Sequence, residues 1–503
     1  MTRYRVLATA SVWAALVAGC STIRTHTDTL DLLKPCTGTQ GPIDGYCGTV
    51  DVWENRQTQA GRRISLKVVV LPGARRGAHP DPLFFLAGGP GQAAAQMSSE
   101  IQQGFRPILS DRDIVLVDQR GTGESNSLAC EPDEPKDDEP PSADPEVLVR
   151  LLRGCMDRLD ADLRLYTTSI AMDDLNEVRE SLRYDRINLF GGSYGTRAAI
   201  AYVRRHPGTV RSVVLDSVAP PDMILPLYFA RDSQRAFDQL TAACAADSGC
   251  AQAFPDLAAR FEQLLARLDR KPERVTVTNP RTGKPEPVTF DRMTISGIVF
   301  NALYMPETTA TLPFLIHRAI EGDYAGLVAL SSAGVVSAVK QMSLGMRYSV
   351  VCAEDAPRVN DDIIARETAG TFAGATLVKA FLKPCEFWPR GEVPDDFAAP
   401  FASDAPTLIL SGESDPVTPP VWGEAIAKAW RNTRHVVVPG GGHGSIGRGC
   451  VMRVMRQFLN DANPAGVDPR CVATLHRRPF FLGYAGPVPP AAATEAPSKA
   501  KRP

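Results

Sequence analysis

Residues 191–195 read Gly-Gly-Ser-Tyr-Gly, directly after the apolar run Ile187-Asn188-Leu189-Phe190 and just before a helical pattern of Ala198, Ala199, Ile200, Tyr202 and Val203. Glycines two before and two after a serine let strand and helix close on each other while the hydroxyl projects from the turn. Ser193 is therefore a candidate nucleophile. A serine hydroxyl is a weak nucleophile near neutral pH, so it needs a histidine as base and a carboxylate to orient that base. The chemistry such a set performs is acyl transfer.

In one known chain order the acid and then the base follow the serine. Of the seven histidines, His435, His443 and His476 lie far enough downstream. His435 starts the apolar run 435–440, where a ring packs against a sheet, and His476 sits beside Arg477 and Arg478 as a solvated residue would. His443 lies in Pro-Gly-Gly-Gly-His-Gly-Ser, a loop able to swing an imidazole over a sheet edge, and is the candidate base. Before it, Thr-Leu-Ile-Leu-Ser-Gly-Glu-Ser-Asp-Pro ends a strand and offers Asp415 as the acid, with Glu413 as the alternative. Thr418 is placed to donate to the Asp415 carboxylate and keep it ionised. The developing oxyanion needs backbone donors: the N–H of Tyr194, and a second from Gly88-Gly89-Pro90-Gly91, where Gly89 is the choice.

Taken in order, Gly-Gly-Pro-Gly (88–91), Val-Asp-Gln-Arg-Gly-Thr-Gly-Glu-Ser (117–125), Gly-Gly-Ser-Tyr-Gly-Thr (191–196), Gly-Glu-Ser-Asp-Pro-Val-Thr-Pro-Pro (412–420) and Gly-Gly-Gly-His-Gly (440–444) resemble the prolyl aminopeptidase and tripeptidyl aminopeptidase group of α/β-hydrolase serine peptidases. The resemblance implies Ser193, Asp415 and His443 as a triad, no cofactor, and exopeptidase action on peptides with a free N-terminus. It implies too that an inserted cap binds the substrate amine. One departure is Ala87, where prolyl aminopeptidases carry a histidine ahead of the glycines, and Asp-Pro-Val-Thr-Pro-Pro is closer to the tripeptidyl branch. A carboxylesterase or lipase would use the same triad, and a non-catalytic periplasmic binding lipoprotein could keep the scaffold.

An amine-binding pocket needs a carboxylate. Within the cap, Glu354 follows Cys352 by two residues and Glu386 follows Cys385 directly. A Cys352–Cys385 bond would bring both acids together, with Phe387 and Trp388 as walls. Asp118 and Arg120 are expected to form an ion pair bracing their loop.

The elements that must position these residues are legible as short apolar runs at 64–71, 82–88, 113–119, 187–192, 211–218, 407–412 and 435–440, alternating with amphipathic helices such as Met172, Leu175, Val178 and Leu182. That rhythm predicts an α/β fold, the α/β-hydrolase fold, with a mostly parallel central sheet covered on both faces. It stops between about 221 and 400, which predicts a large, mainly helical cap inserted between core strands. The expected division is signal peptide 1–20, tether and N-terminal segment 21–60, first core part 61–220, cap 221–400, second core part with a tripeptidyl-aminopeptidase-like C-terminal region 401–485, and a disordered tail 486–503.

Export is written at the start. Arg3 and Arg5 precede an apolar run too short to span a bilayer, ending in Val17-Ala18-Gly19-Cys20, a lipobox-like site with Cys20 as the lipidated residue. Ser21 then directs the lipoprotein toward the periplasmic face of a Gram-negative outer membrane. The remaining ten of the eleven cysteines suit an oxidising compartment. Closing short loops pairs Cys36 with Cys47, Cys130 with Cys155, Cys244 with Cys250, Cys352 with Cys385 and Cys450 with Cys471. There is no Cys/His cluster at metal-ligand spacing, and with a net charge of -2 and no basic stripe nothing points to nucleic acid.

Overall fold

Strands whose residues are apolar on both faces must be covered on both faces, and the central strands here are of that kind. β1 (Lys34–Gly38), β2 (Gly41–Trp53), β3 (Arg63–Leu71), β4 (Leu83–Leu86), β5 (Ile114–Val117), β6 (Ile187–Gly192) and β7 (Val210–Asp216) form one sheet with two later strands, β10 and β11. These are described by a computed structural model covering residues 33–487 except 39–40, 76, 131–144, 280–282 and 332–341. In the cap, β8 (Glu273–Thr278) pairs with β9 (Pro285–Phe290), while β10 (Thr407–Gly412) and β11 (Thr433–Val438) return to the main sheet. Its order is β1-β2-β3-β5-β4-β6-β7-β10-β11, with β5 through β11 mutually parallel and β1, β2 and β3 antiparallel at one edge.

Alternate side chains feed two cores. Phe84, Val115, Leu189, Val213 and Ile409 pack with Met172, Leu175 and Val178 of helix α1 (Thr168–Ser181) and with Ala198, Ala199 and Tyr202 of α2 (Tyr194–Arg205). Phe85, Leu116, Phe190, Val214 and Leu408 meet Val454, Met455 and Phe458 on the other face. The parallel strands β4, β6, β7, β10 and β11 end at one edge, so the loops that follow them converge there.

The cap has its own core, built from α3 (Phe229–Ala246), α4 (Leu257–Arg270), α5 (Arg292–Ala302) and α6 (Leu312–Ile320) around Phe237, Leu240, Phe261, Phe290, Val299 and Ile316. One expectation needs correction. The 21–60 segment is no simple tether from residue 34 onward: β1 and β2 complete the sheet edge. Their half-exposed residues form an edge pair, so no continuous apolar run marks them in the chain. The span 221–400 is mainly helical. It holds the β8–β9 hairpin, and its helix α7 (Leu344–Glu354) packs Met346, Tyr348, Val350 and Val351 against Leu128, Leu163, Tyr166 and Tyr194 of the first core part.

Five disulfides join Cys36–Cys47, Cys130–Cys155, Cys244–Cys250, Cys352–Cys385 and Cys450–Cys471. They point to an exported protein. Among the described residues, no helix is long and apolar enough to cross a membrane, and no cluster of His, Cys, Asp and Glu could hold a metal ion. Cys20 and the signal lie outside the described residues, as does most of the acidic 130–146 stretch and of the 486–503 tail.

Candidate active site

Ser193 sits between β6 and α2 with φ 55° and ψ -123°. A non-glycine residue with positive φ is costly and persists only where its surroundings enforce it. Here the enforcement is steric. A Cβ on Gly191 would collide with the Gly195 carbonyl, and one on Gly195 with the Leu86 carbonyl, so only glycines let strand and helix approach this closely. The Tyr194 N–H, in the first turn of α2, has no intrahelical acceptor. Across from it, the 88–91 loop lies against the serine: a Cβ on Gly88 would stand 3.3 Å from Ser193 Cβ. Gly89 is exposed at φ +112°, a conformation open to glycine.

The loop after β10 carries Asp415, fully buried. Its Oδ1 accepts the N–H groups of Val417 and Thr418 at 2.9 and 2.8 Å, and Thr418 Oγ1 donates to Oδ2 at 2.8 Å. His443 Nδ1 lies 2.9 Å from Oδ2. An ionised carboxylate only accepts, so Nδ1 carries the proton and Nε2 is left as a base. Burial alone would raise the Asp415 pKa, but His443 and the two N–H groups outweigh it and bring it to about 2. Burial opposes the imidazolium, yet Asp415 more than offsets it, and the His443 pKa rises above its ordinary value.

Two features that sequence reasoning missed hold these loops in place. Asp216, at the end of β7, accepts the Ser193 N–H on its carbonyl at 2.9 Å, while its buried carboxylate accepts the N–H groups of Ser445 and Ile446 at 2.9 Å each. Ser217 Oγ accepts the Gly444 N–H at 2.8 Å. One strand end therefore fastens both the serine turn and the histidine loop. Burial raises the Asp216 pKa to about 6. The only available signal was an acid closing the apolar run 210–216. From the cap, the Tyr304 carbonyl accepts the His443 N–H at 2.8 Å and its ring lies 5.1 Å from the imidazole. Arg235 of α3 donates to the Glu413 and Asp415 carbonyls at 3.1 and 2.9 Å.

A serine on a strained turn, a buried acid–imidazole pair and backbone donors on one sheet edge suit attack on a carbonyl. The alpha/beta hydrolase fold model matches residues 81–447. The chain belongs to the α/β-hydrolase family. Relatives agree: the chain is 25% identical to the serine protease Hip1 of Mycobacterium tuberculosis (strain ATCC 25618 / H37Rv) over 79% of its own length and 82% of that protein. It is 30% identical to the tripeptidyl aminopeptidase of Streptomyces lividans over 35% of each chain, and 31% identical to the proline iminopeptidase of Neisseria gonorrhoeae over 28% of this chain and 34% of that one. A crystal structure of the proline iminopeptidase of Mycobacterium smegmatis aligns with 83% of this chain and 99% of its own at 16% identity and a TM-score of 0.37. The protein is a serine hydrolase of the α/β fold.

Other expected residues of this α/β hydrolase lie elsewhere. Glu354 ends α7 with its side chain 1% exposed; it accepts from Thr168 N at 2.7 Å and Oγ1 at 3.0 Å, and faces Arg197 at 3.5 Å. Arg197 also pairs with the adjacent, equally buried Asp355 at 2.9 Å. Glu386 is 63% exposed and pairs with Lys383. The expected pocket of two acids is therefore not formed: one carboxylate is walled in beneath the serine turn and the other faces solvent. Trp388 donates to Ser349, and Phe387 stacks under Arg153, so neither ring walls that pocket. The Asp118–Arg120 pair is also corrected. Arg120 reaches Asp174 at 2.5 and 2.8 Å, while Asp118 accepts the Ala95 and Glu124 N–H groups. His435 bonds Ser411, Glu413 accepts the Gly440 N–H, and His476 offers its carbonyl to Arg448.

Proposed function

We propose that this protein is an exported serine exopeptidase that releases N-terminal residues or short peptides through an acyl-enzyme. Ser193 Oγ attacks the scissile carbonyl while His443 Nε2 takes its proton; Asp415 holds the imidazole in the productive tautomer and stabilises the imidazolium. The N–H groups of Tyr194 and Gly89 receive the oxyanion. His443 then protonates the leaving amine, and water, deprotonated by the same imidazole, clears the ester. None of these steps calls for a cofactor.

The observation that carries the reading is the Asp415–His443 pair, buried and held by Thr418, Asp216 and Tyr304 at the edge where Ser193 emerges. Exopeptidase action is supported by the names of the tripeptidyl aminopeptidase and proline iminopeptidase relatives. The Cys20 motif supports a lipid anchor at the outer membrane, and Cys20→Ser should move the protein from membranes to the soluble fraction. The deciding experiment compares aminoacyl and tripeptidyl arylamides, with free and blocked N-termini, against short-chain nitrophenyl esters. Free-N-terminus arylamides should be cleaved fastest, and Ser193→Ala should abolish turnover. Ester turnover without arylamide cleavage would overturn the peptidase reading, and equal rates on blocked and free peptides would overturn the exopeptidase reading.

A further inference from the structure

Among the described residues, buried Arg120, Arg112 and Arg197 pair with Asp174, Asp81 and Asp355, and half-buried Arg235 and Arg477, without a carboxylate partner, donate to carbonyl or hydroxyl oxygens at 2.9–3.1 Å. Arg347 is different. It lies in the first turns of α7, half-buried, and no carboxylate among the described residues forms an ion pair with it. Its recorded neighbours are the Pro90 carbonyl, 3.5 Å from Nε, and the Phe381 ring, 5.9 Å from the guanidinium carbon. Burial pulls its pKa down, and the groups acting on its charge are the phenols of Tyr348 and Tyr304. A guanidinium stays charged, and a partly desolvated charge without a counter-ion is costly.

The surroundings locate that charge beside the reacting centre. Pro90 belongs to the glycine loop facing Ser193, and that loop is seated on the residues just ahead of α7. Ser343 N–H donates to the Gly91 carbonyl at 2.9 Å, and a Cβ on Gly89 would stand 2.8 Å from Met342 Sδ. Tyr304 packs on His443.

We propose that Arg347 is the subsite for a substrate carboxylate, supplied by an acidic side chain beside the scissile bond or by the free C-terminus of a short peptide. The assignment rests on the peptidase reading above for its substrate class. Glu354, one end of the same helix, is committed to Arg197 and Thr168, so the unbalanced charge on α7 is positive and selects an anion. A guanidinium fork matches a carboxylate bidentately.

The test uses four free-N-terminus peptides, with Glu or Gln next to the scissile bond and a free or amidated C-terminus. Wild type should favour one carboxylate source by about 10- to 100-fold in kcat/KM, the size of a charge-assisted hydrogen bond. A Glu-over-Gln preference identifies the side chain, and a free-over-amide preference the C-terminus. In Arg347→Gln that ratio should fall to near one through KM, and Arg347→Lys should restore part of it. A wild type that cleaves all four peptides alike, or equal losses on all four in Arg347→Gln, would overturn the assignment and leave Arg347 as a brace of the Pro90 loop. Should Arg347→Gln fail to fold, Arg347→Lys reads the same ratio. If esters alone are turned over, the peptidase reading fails, and nitrophenyl hemisuccinate against nitrophenyl butyrate then tests Arg347 by itself.

Discussion

Asp415 and Glu354 are both carboxylates without access to water, yet their surroundings drive them in opposite directions. Asp415 has three donors of its own loop and an imidazole around it, and its pKa falls to about 2. Glu354 stands next to a second buried acid, Asp355, with which it shares Arg197, and burial lifts its pKa to about 7. Desolvation is common to the two; what differs is the number of donors and the sign of the neighbours. The first arrangement keeps a charge ready to stabilise an imidazolium. The second joins α7, the elbow helix α2 and Thr168 of α1 into one block under the nucleophile.

The largest effect expected of this contrast is on Asp415. Asp415→Asn should lower kcat by about 10^4-fold, because the amide favours the wrong imidazole tautomer. In the wild type, kcat/KM should fall as pH drops through the raised His443 pKa, since the protonated ring cannot act as base; the acid limb therefore lies above about 6.5. It should move to lower pH in Asp415→Asn, and an unmoved limb in a pH–rate series would detach His443 from Asp415.

Next comes Arg197→Leu, which takes the cation from buried Glu354 and leaves buried Asp355 with Arg358 alone. It should destabilise the fold by about 3–5 kcal/mol in denaturant unfolding. A loss below about 1 kcal/mol would mean that the cluster does not hold α7 to α2.

Asp216→Asn is smaller and more specific. Its amide nitrogen would face the Ser445 or Ile446 N–H, loosening the histidine loop, and kcat should drop by about 100-fold with KM little changed. A change in KM alone would contradict a positioning role. Glu386→Ala is the control at the bottom of the scale: an exposed pair with Lys383 should change stability by less than about 0.5 kcal/mol and leave kcat/KM as it was.

Local chemistry was readable from the chain. The elbow glycines, the Gly-Gly-Pro-Gly loop, the acid after one apolar run and the histidine after the next lie within a few residues of a strand end, where sequence spacing and spatial position are tightly linked. The central strands were readable for the same reason, each being a continuous apolar run. The edge strands β1 and β2 were not, because a half-exposed edge pair carries no such run. Nor could Asp118 and Arg120 reveal that they face different partners: two residues apart on a turn, their side chains diverge toward the Ala95 N–H and Asp174.

What the sequence determined by itself is the class of chemistry, because a serine with glycines two before and two after it, an acid and a histidine near strand ends leave little else for them to do. What only the tertiary structure decided is which charges reach the cleft. Glu354 and Arg347 are seven residues, two turns, apart on one helix, so spacing alone would put both charges on one face. Burial by Thr168 and Arg197 withdrew the acid, while the Pro90 loop and Tyr304 gathered around the arginine. Those partners come from segments far away in the chain, and charge balance is settled by such long-range neighbours.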